Sequence, residues 1–307
     1  MRLTALAHVT LSISATEIFA HPERLTKETA KQEAALAGRS TNKCAAAVEK
    51  RKAESITKRS QSLYERRVEN GDIVPNVHAP KTIFGRIDVQ TCEPLGRASA
   101  SIWHCNATGL YALSTGIDLD TSELFDGWRK RSDGTTDDET FLRGVHVSDS
   151  NGMIEFLTKF PGYYVSRSTH IHVAVQANAS QGVSHSQSTA HHVGQLFFEE
   201  DLLSQVYAAS PYSSHQETLN RTTNDEDSVL SSASEDGYSP SISISLLGAS
   251  IEDDLVGYIT IGVDSTGEGV ATTGNDVNPQ GWIPTVSVGT AKLAQATAAD
   301  RAAGYTS

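Results

Sequence analysis

From Thr82 onward the apolar residues of this chain come in short runs, each closed by turn-forming residues. The runs are Ile83 to Val89, Ala98 to His104, Met153 to Leu157, His170 to Gln176, Ile242 to Leu247 and Leu255 to Val263. They are too short for the helices of a packed bundle and suit strands. Asp133-Gly134, Asn151-Gly152 and Pro161-Gly162 supply turns, because glycine accepts positive φ and proline presets φ near a turn value. Spacing of this kind argues for an antiparallel sandwich or barrel. The expected fold is therefore mainly β, with an antiparallel β-sandwich core over residues 76–265. At 38% hydrophobic residues over 307 positions the chain has enough apolar material for such a core.

The flanks read differently. Residues 21–75 are rich in Ala, Glu, Lys and Arg, with Pro only near the two ends, which favours helix by propensity, yet few large apolar residues recur at helical spacing. A helical, basic N-terminal extension is expected there. After Asp264 the chain turns to Thr, Gly, Ala and Asn, and residues 266–307 read as a disordered low-complexity tail. Residues 1–20 place Arg2 before the mostly apolar stretch Leu3 to Ile18, with the small Ala20 ahead of His21, the pattern of a signal peptide. The sequons at Asn106, Asn178 and Asn220 fit a secreted, extracellular chain. No other segment approaches the ~20 apolar residues of a membrane span.

Charge narrows the partners. Residues 21–70 hold 12 Lys/Arg against 7 Asp/Glu, whereas residues 71–307 hold 12 against 29, so the main domain repels nucleic acid and anionic membranes. Three cysteines allow at most one internal disulfide. Cys92 and Cys105 flank the apolar stretch around Ala98 to Trp103, and a bridge between them would staple two neighbouring strand ends. Without export they would be inert buried thiols.

The chemistry concentrates in Pro161-Gly162-Tyr163-Tyr164-Val165-Ser166-Arg167-Ser168-Thr169-His170-Ile171-His172-Val173-Ala174-Val175. In a strand alternate side chains share a face, so His170 and His172 point together while Ile171, Val173 and Val175 point the other way. A pair of imidazoles on one face suggests a metal. The plainer reading of Tyr163 and Tyr164 is that of core aromatics closing a Pro-Gly turn.

Three motifs carry a resemblance. Ala100 to Tyr111 contains a strand, Trp103 and the Gly109-Leu110-Tyr111 block. Phe141-Leu142-Arg143-Gly144, with Asp149, Gly152 and Phe156, leads to the Pro161-Gly162-Tyr163-Tyr164 turn. Arg167, His170 and His172 form an Arg-x-x-His-x-His string. In this order they make the segment from Thr82 to about Ser265 resemble the intradiol ring-cleavage dioxygenases, in particular the fungal extracellular ones related to protocatechuate and catechol dioxygenases. The resemblance implies a non-haem Fe(III) held by Tyr111, Tyr164, His170 and His172, with Tyr164, not Tyr163, as the second tyrosinate. It also implies a pocket arginine, Arg167, and a glutamine beside the ligands, Gln195. The implied substrates are a small catechol-type diol and O2, and the product a muconate-type diacid. Which ring is taken is left open, as is a homodimer, the form relatives often adopt. The Thr-Glu-Gly-Pro-Tyr-Tyr segment usual before the first core strand of extracellular members has no counterpart between Cys44 and Lys81.

The ligand types suit the ion. Two phenolates and two neutral imidazoles form a hard, anionic set fit for ferric iron, whereas Fe(II) oxygenases generally use two histidines and a carboxylate. Phenol has a pKa of ~10, so the cation itself must favour the phenolate. Arg167 could stabilise negative charge on the substrate, or form a surface ion pair on an acidic domain. His104 reads as a packed, hydrogen-bonded histidine, and His191 and His192, facing opposite sides, as structural. Two further readings stand beside this one. One is a non-catalytic β-sandwich binding module that has lost its activity; the other is a zinc hydrolase using Asp149 or Glu155.

Overall fold

A computed structural model describes residues 44–48, 50, 81–116, 137–165, 167–177, 189–234, 239–253, 255–267 and 269–271. The expected signal peptide at 1–20, nearly all of the 21–75 extension, Asn178 and the tail beyond Ala271 lie outside the described residues.

The regular structure of the described residues is mostly strand. In order they are β1 (Lys81–Asp88), β2 (Ser99–Trp103), β3 (Arg143–Val147), β4 (Met153–Leu157), β5 (His170–Gln176), β6 (Thr189–Ala190), β7 (His192–Phe197), β8 (Ser243–Leu246), β9 (Leu255–Val263) and β10 (Val270–Ala271). Three short helices lie between β7 and β8: α1 (Glu200–Tyr207), α2 (Tyr212–Gln216) and α3 (Ser228–Ala233). One sheet has the order β4-β1-β9-β8 and another β3-β2-β5-β7, while β10 pairs with β6. The main apolar cluster draws on both large sheets, with Ile102, Ile171, Val173, Val175 and Leu196 from one and Ile154, Phe156, Ile259, Ile261 and Val263 from the other.

Two expectations are corrected. The pairing is not antiparallel throughout, because β1 and β9 run parallel, from Lys81 opposite Val256 to Asp88 opposite Val263. Parallel neighbours need a long connection, and the chain between them builds the whole second sheet. Within the segment expected to be tail, Val270 and Ala271 pair with Ala190 and Thr189. The disulfide joins Cys44 to Cys92 with Cα atoms 5.3 Å apart, and Cys105 is a buried free thiol. The stretch after Ala98 is one strand, β2 (Ser99–Trp103), and not a hairpin, so Cys92 precedes β2 and Cys105 follows it. Five residues at about 3.3 Å each separate those ends by roughly 17 Å, far beyond the reach of a disulfide. Cys44 instead sits in a helical turn, buried against Val89.

Two loops connect the sheet to the site. In the first, Asn106 accepts through its side-chain oxygen from the backbone of Thr108 and Leu110, a local turn that ends at Tyr111. In the second, Pro161 to Tyr164, Gly162 N donates to the Asn106 carbonyl at 3.1 Å. A Cβ on Gly162 would lie 2.4 Å from that carbonyl oxygen, and a Cβ on Gly109, whose φ is +84°, would lie 2.6 Å from the Tyr163 carbonyl oxygen. The loops thus touch backbone to backbone at both glycines, and no other residue fits either place.

Non-reducing peptide mapping should recover Cys44 joined to Cys92. Cys105, whose thiol burial pushes up to about 12, should react with maleimide only after unfolding; rapid labelling of native protein would contradict its placement. Gly162→Ala and Gly109→Ala should each lower stability by about 3 kcal/mol or more in denaturant titrations. Gly144→Ala, whose Cβ would rest 3.6 Å from the Phe156 ring, should stay within about 1 kcal/mol.

Candidate metal centre

Strand β5 separates its side chains as alternation requires. Ile171, Val173 and Val175 enter the main core, while Ala174 joins a second cluster on the other face with Trp103, Cys105, Tyr111, Tyr164, Ala190 and Val193. On that face the register aligns a row across all four strands, in which Arg143 is opposite Trp103, Trp103 opposite His172, and His172 opposite Gln195. Trp103 lies flat on His172, with ring centres 4.8 Å apart and planes 3° from parallel, which holds the imidazole upright.

The two loops deliver the phenols to this row. Tyr111 and Tyr164 hydroxyls each lie 3.4 Å from His170 Nε2, and His170 Nε2 lies 3.2 Å from His172 Nε2. All four side chains are buried. His170 Nδ1 is 2.7 Å from the Ser168 carbonyl oxygen, which can only accept, so Nδ1 carries the proton and Nε2 turns its lone pair to the phenols. Tyr163 points into the core, where its hydroxyl donates to the Leu219 carbonyl at 2.6 Å and its ring stacks on His215.

This donor set fits a metal ion. Ligands about 2.1 Å from a common centre stand roughly 3.0 to 3.4 Å apart, the range spanned by these phenol and imidazole separations. Burial raises both Tyr111 and Tyr164 above the ordinary phenol value, and the neighbouring phenol adds to this for Tyr111. Without a strong nearby cation they remain neutral. A trivalent ion would supply the missing charge, and two phenolates would offset most of it in a site this dry. Among the described residues no group of three or more His, Cys, Asp or Glu is placed to hold a metal. Asp149 caps the turn between β3 and β4 through Asn151 and Met153 N–H groups, and Glu155 belongs to β4 in the other sheet. Neither zinc-hydrolase candidate joins the cluster.

Arg167 is no surface residue. It is buried, with Nε donating to Asp227 Oδ2 at 3.1 Å, Nη1 to the Tyr164 hydroxyl at 3.5 Å, and Nη2 to Gln195 Oε1. Burial disfavours its charge, but Tyr164, Asp227 and Tyr111 outweigh that and hold its pKa above the ordinary value. An arginine donates and never accepts, so the Gln195 atom facing it is the oxygen. Gln195 Nε2 is then a buried donor with no partner among the described residues. Arg143, at the other end of the row, is drawn down to about 10 by burial, against the opposing influence of Tyr111 and Asp137.

His104 is buried between the Cys105 carbonyl at 2.7 Å and Thr158 Oγ1 at 2.8 Å, and burial lowers it to about 4. His192 lies within β7, and His191 Nδ1 meets Ala177 N at 3.2 Å. Sequence reading missed Asp227. Its signal was available in Asp227-Ser228 ahead of an apolar turn, an N-cap pattern, and the structure has Asp227 Oδ1 accepting from Val229 and Leu230 N–H groups at the start of α3.

No family model and no curated protein matches the sequence. Solved structures do. The intradiol ring-cleavage dioxygenase of Tetranychus urticae is 25% identical with a TM-score of 0.51, over 64% of this chain and 85% of that one. The dioxygenase domain of a carbohydrate-binding fusion protein from Streptomyces sp. SirexAA-E is 17% identical with a TM-score of 0.35, over 63% and 83%. Hydroxyquinol 1,2-dioxygenase from Pseudomonas putida DLL-E4 is 17% identical with a TM-score of 0.34, over 61% and 56%. The mite enzyme is the likeness on which the assignment rests. What the alternating strand and its two glycine-jointed loops build is the fold of the intradiol ring-cleavage dioxygenases.

Proposed function

We propose that this protein is a non-haem Fe(III) intradiol dioxygenase that opens catechol-type rings between the two hydroxyls, both atoms of O2 ending in a muconate-type diacid. The observation that carries this reading is the convergence of the Tyr111 and Tyr164 oxygens with His170 and His172 Nε2 in one buried cluster. A binding module of the same fold has no use for such a cluster. The chemistry supplied by bound ferric iron is Lewis acidity, which ionises the phenols and the diol and draws electron density from the ring.

The chain's own residues divide the remaining work. Tyr111, His170 and His172 would hold the ion throughout, and the Nδ1 bond to Ser168 keeps His170 in the tautomer that leaves Nε2 able to ligate. Tyr164 would hold the ion as a phenolate, and its oxygen, beside Arg167, would be the base that takes a proton from the substrate diol. Arg167 Nη1, within 3.5 Å of that oxygen, then faces the place the substrate oxygen takes, and its fixed charge stabilises negative charge developing there. Gln195 Nε2 offers a donor on the same side. The fungal extracellular affinity and export from the cell belong to this proposal too. Export is supported by the apolar leader at 1–20 and by the Cys44–Cys92 disulfide, which suits an oxidising compartment.

Purified protein should hold about one iron per four-donor site and show a broad visible band; stoichiometric zinc and no colour would sink the reading. Tyr164→Phe should load iron and bind catechol while turnover falls by about 100-fold or more. Tyr111→Phe should lose the visible band once substrate binds, because the remaining tyrosinate is the one displaced. Tyr163→Phe should keep iron, colour and most activity. If instead Tyr163→Phe bleached the protein and Tyr164→Phe did not, the second ligand would be misplaced by one residue.

A further inference from the structure

We infer that Asp227 is the positioning residue of this site, fixing the plane of the Arg167 guanidinium so that Gln195 is held with its amide nitrogen, not its oxygen, presented as a donor. The inference rests on the proposed function for what Arg167 does in the reaction, and on the geometry alone for how it is held.

Asp227 is fully buried and its two oxygens do different things. Oδ1 accepts from the backbone of Val229 at 2.8 Å and Leu230 at 3.1 Å, which anchors the carboxylate to the start of α3. Oδ2 accepts from Ser168 N at 2.7 Å and from Arg167 Nε at 3.1 Å. A single carboxylate thus ties a helix between β7 and β8 to the two residues that lead into the His170-Ile171-His172 strand. A guanidinium is planar and rigid. With Nε pinned on Asp227, its two terminal nitrogens have fixed directions, one toward the Tyr164 hydroxyl and one toward Gln195 Oε1. Gln195 can satisfy that donor only with its oxygen, so its amide cannot flip while the arginine is in place, and Nε2 stays free of protein partners among the described residues. The order of dependence is therefore Asp227, Arg167, Gln195.

Asp227→Asn is the direct test, because asparagine keeps one oxygen for the helix cap and sets an amide NH2 where Oδ2 accepts from Ser168 N and Arg167 Nε, removing both the acceptor and the charge that orient Arg167. In iron-loaded enzyme it should lower kcat for catechol by about 10- to 100-fold, with KM and iron content within about threefold. In an Arg167→Met background the same substitution should cost less than about twofold, since a residue acting through Arg167 has nothing left to act on. Equal losses in both backgrounds would show a merely structural role and overturn the inference, as would unchanged kcat in the first. A second measurement needs neither turnover nor a variant that folds. In wild-type protein loaded with gallium(III), the Arg167 Nε–H should exchange slowly with solvent by 15N NMR and the Gln195 side-chain amide should show one fixed set of resonances. Fast exchange would overturn the inference while leaving the dioxygenase reading intact. Slow exchange in a protein that never turns over catechol would do the reverse.

Discussion

The contact on which the site depends lies between two backbones. The Tyr111 and Tyr164 loops meet where Gly162 N donates to the Asn106 carbonyl and where Gly109 passes the Tyr163 carbonyl. Neither glycine has room for a Cβ. Phenols on separate loops, one after β2 and one before β5, can only reach the same point if those loops close to van der Waals distance, and side chains at either joint would hold them apart. The glycines of the Gly-x-Tyr and Pro-Gly-x-Tyr motifs are therefore parts of the candidate metal centre, although they offer no donor atom of their own to it.

The sheet supplies the other half. Period-two alternation sorts His170 and His172 from the core residues between them, and the register sets Trp103 against one imidazole and Gln195 across from it. Polar and aromatic side chains on one face are costly to bury, and here Trp103 packs against His172, Ser168 accepts from His170, and Arg167 donates to Gln195. The opposite face packs Ile102, Ile171, Val173, Val175 and Leu196 into the main core, with the buried His192 opposite Val175.

Burying Arg167 with Asp227 follows the same logic. A buried ion pair is a weak source of stability, since desolvating two charges offsets most of their attraction, yet removing one partner costs about 3 to 5 kcal/mol. Such a pair makes sense where direction matters more than energy. Here it sets the angle at which a fixed positive charge meets Tyr164.

The alternation of β5, the limits of β4, β5 and β9, and the joint orientation of the two histidines follow from sequence alone, because they depend on the two-residue repeat of a strand and on turn residues beside it. The choice of Tyr164 over Tyr163 was legible only through resemblance; packing explains it, since Tyr163 fills the core and donates to Leu219. Other features depend on distances between segments far apart in the chain. The parallel pairing of β1 with β9, the partner of Cys92 and the reach of Asp227 to Arg167 across 60 residues are of this kind. Cys92 and Cys105 are close in sequence but sit at opposite ends of a strand, while Cys44, 48 residues away, lies beside Cys92. Local pattern determines which way a side chain points; only the assembled sheets determine what it meets, because packing brings together segments that lie far apart along the chain.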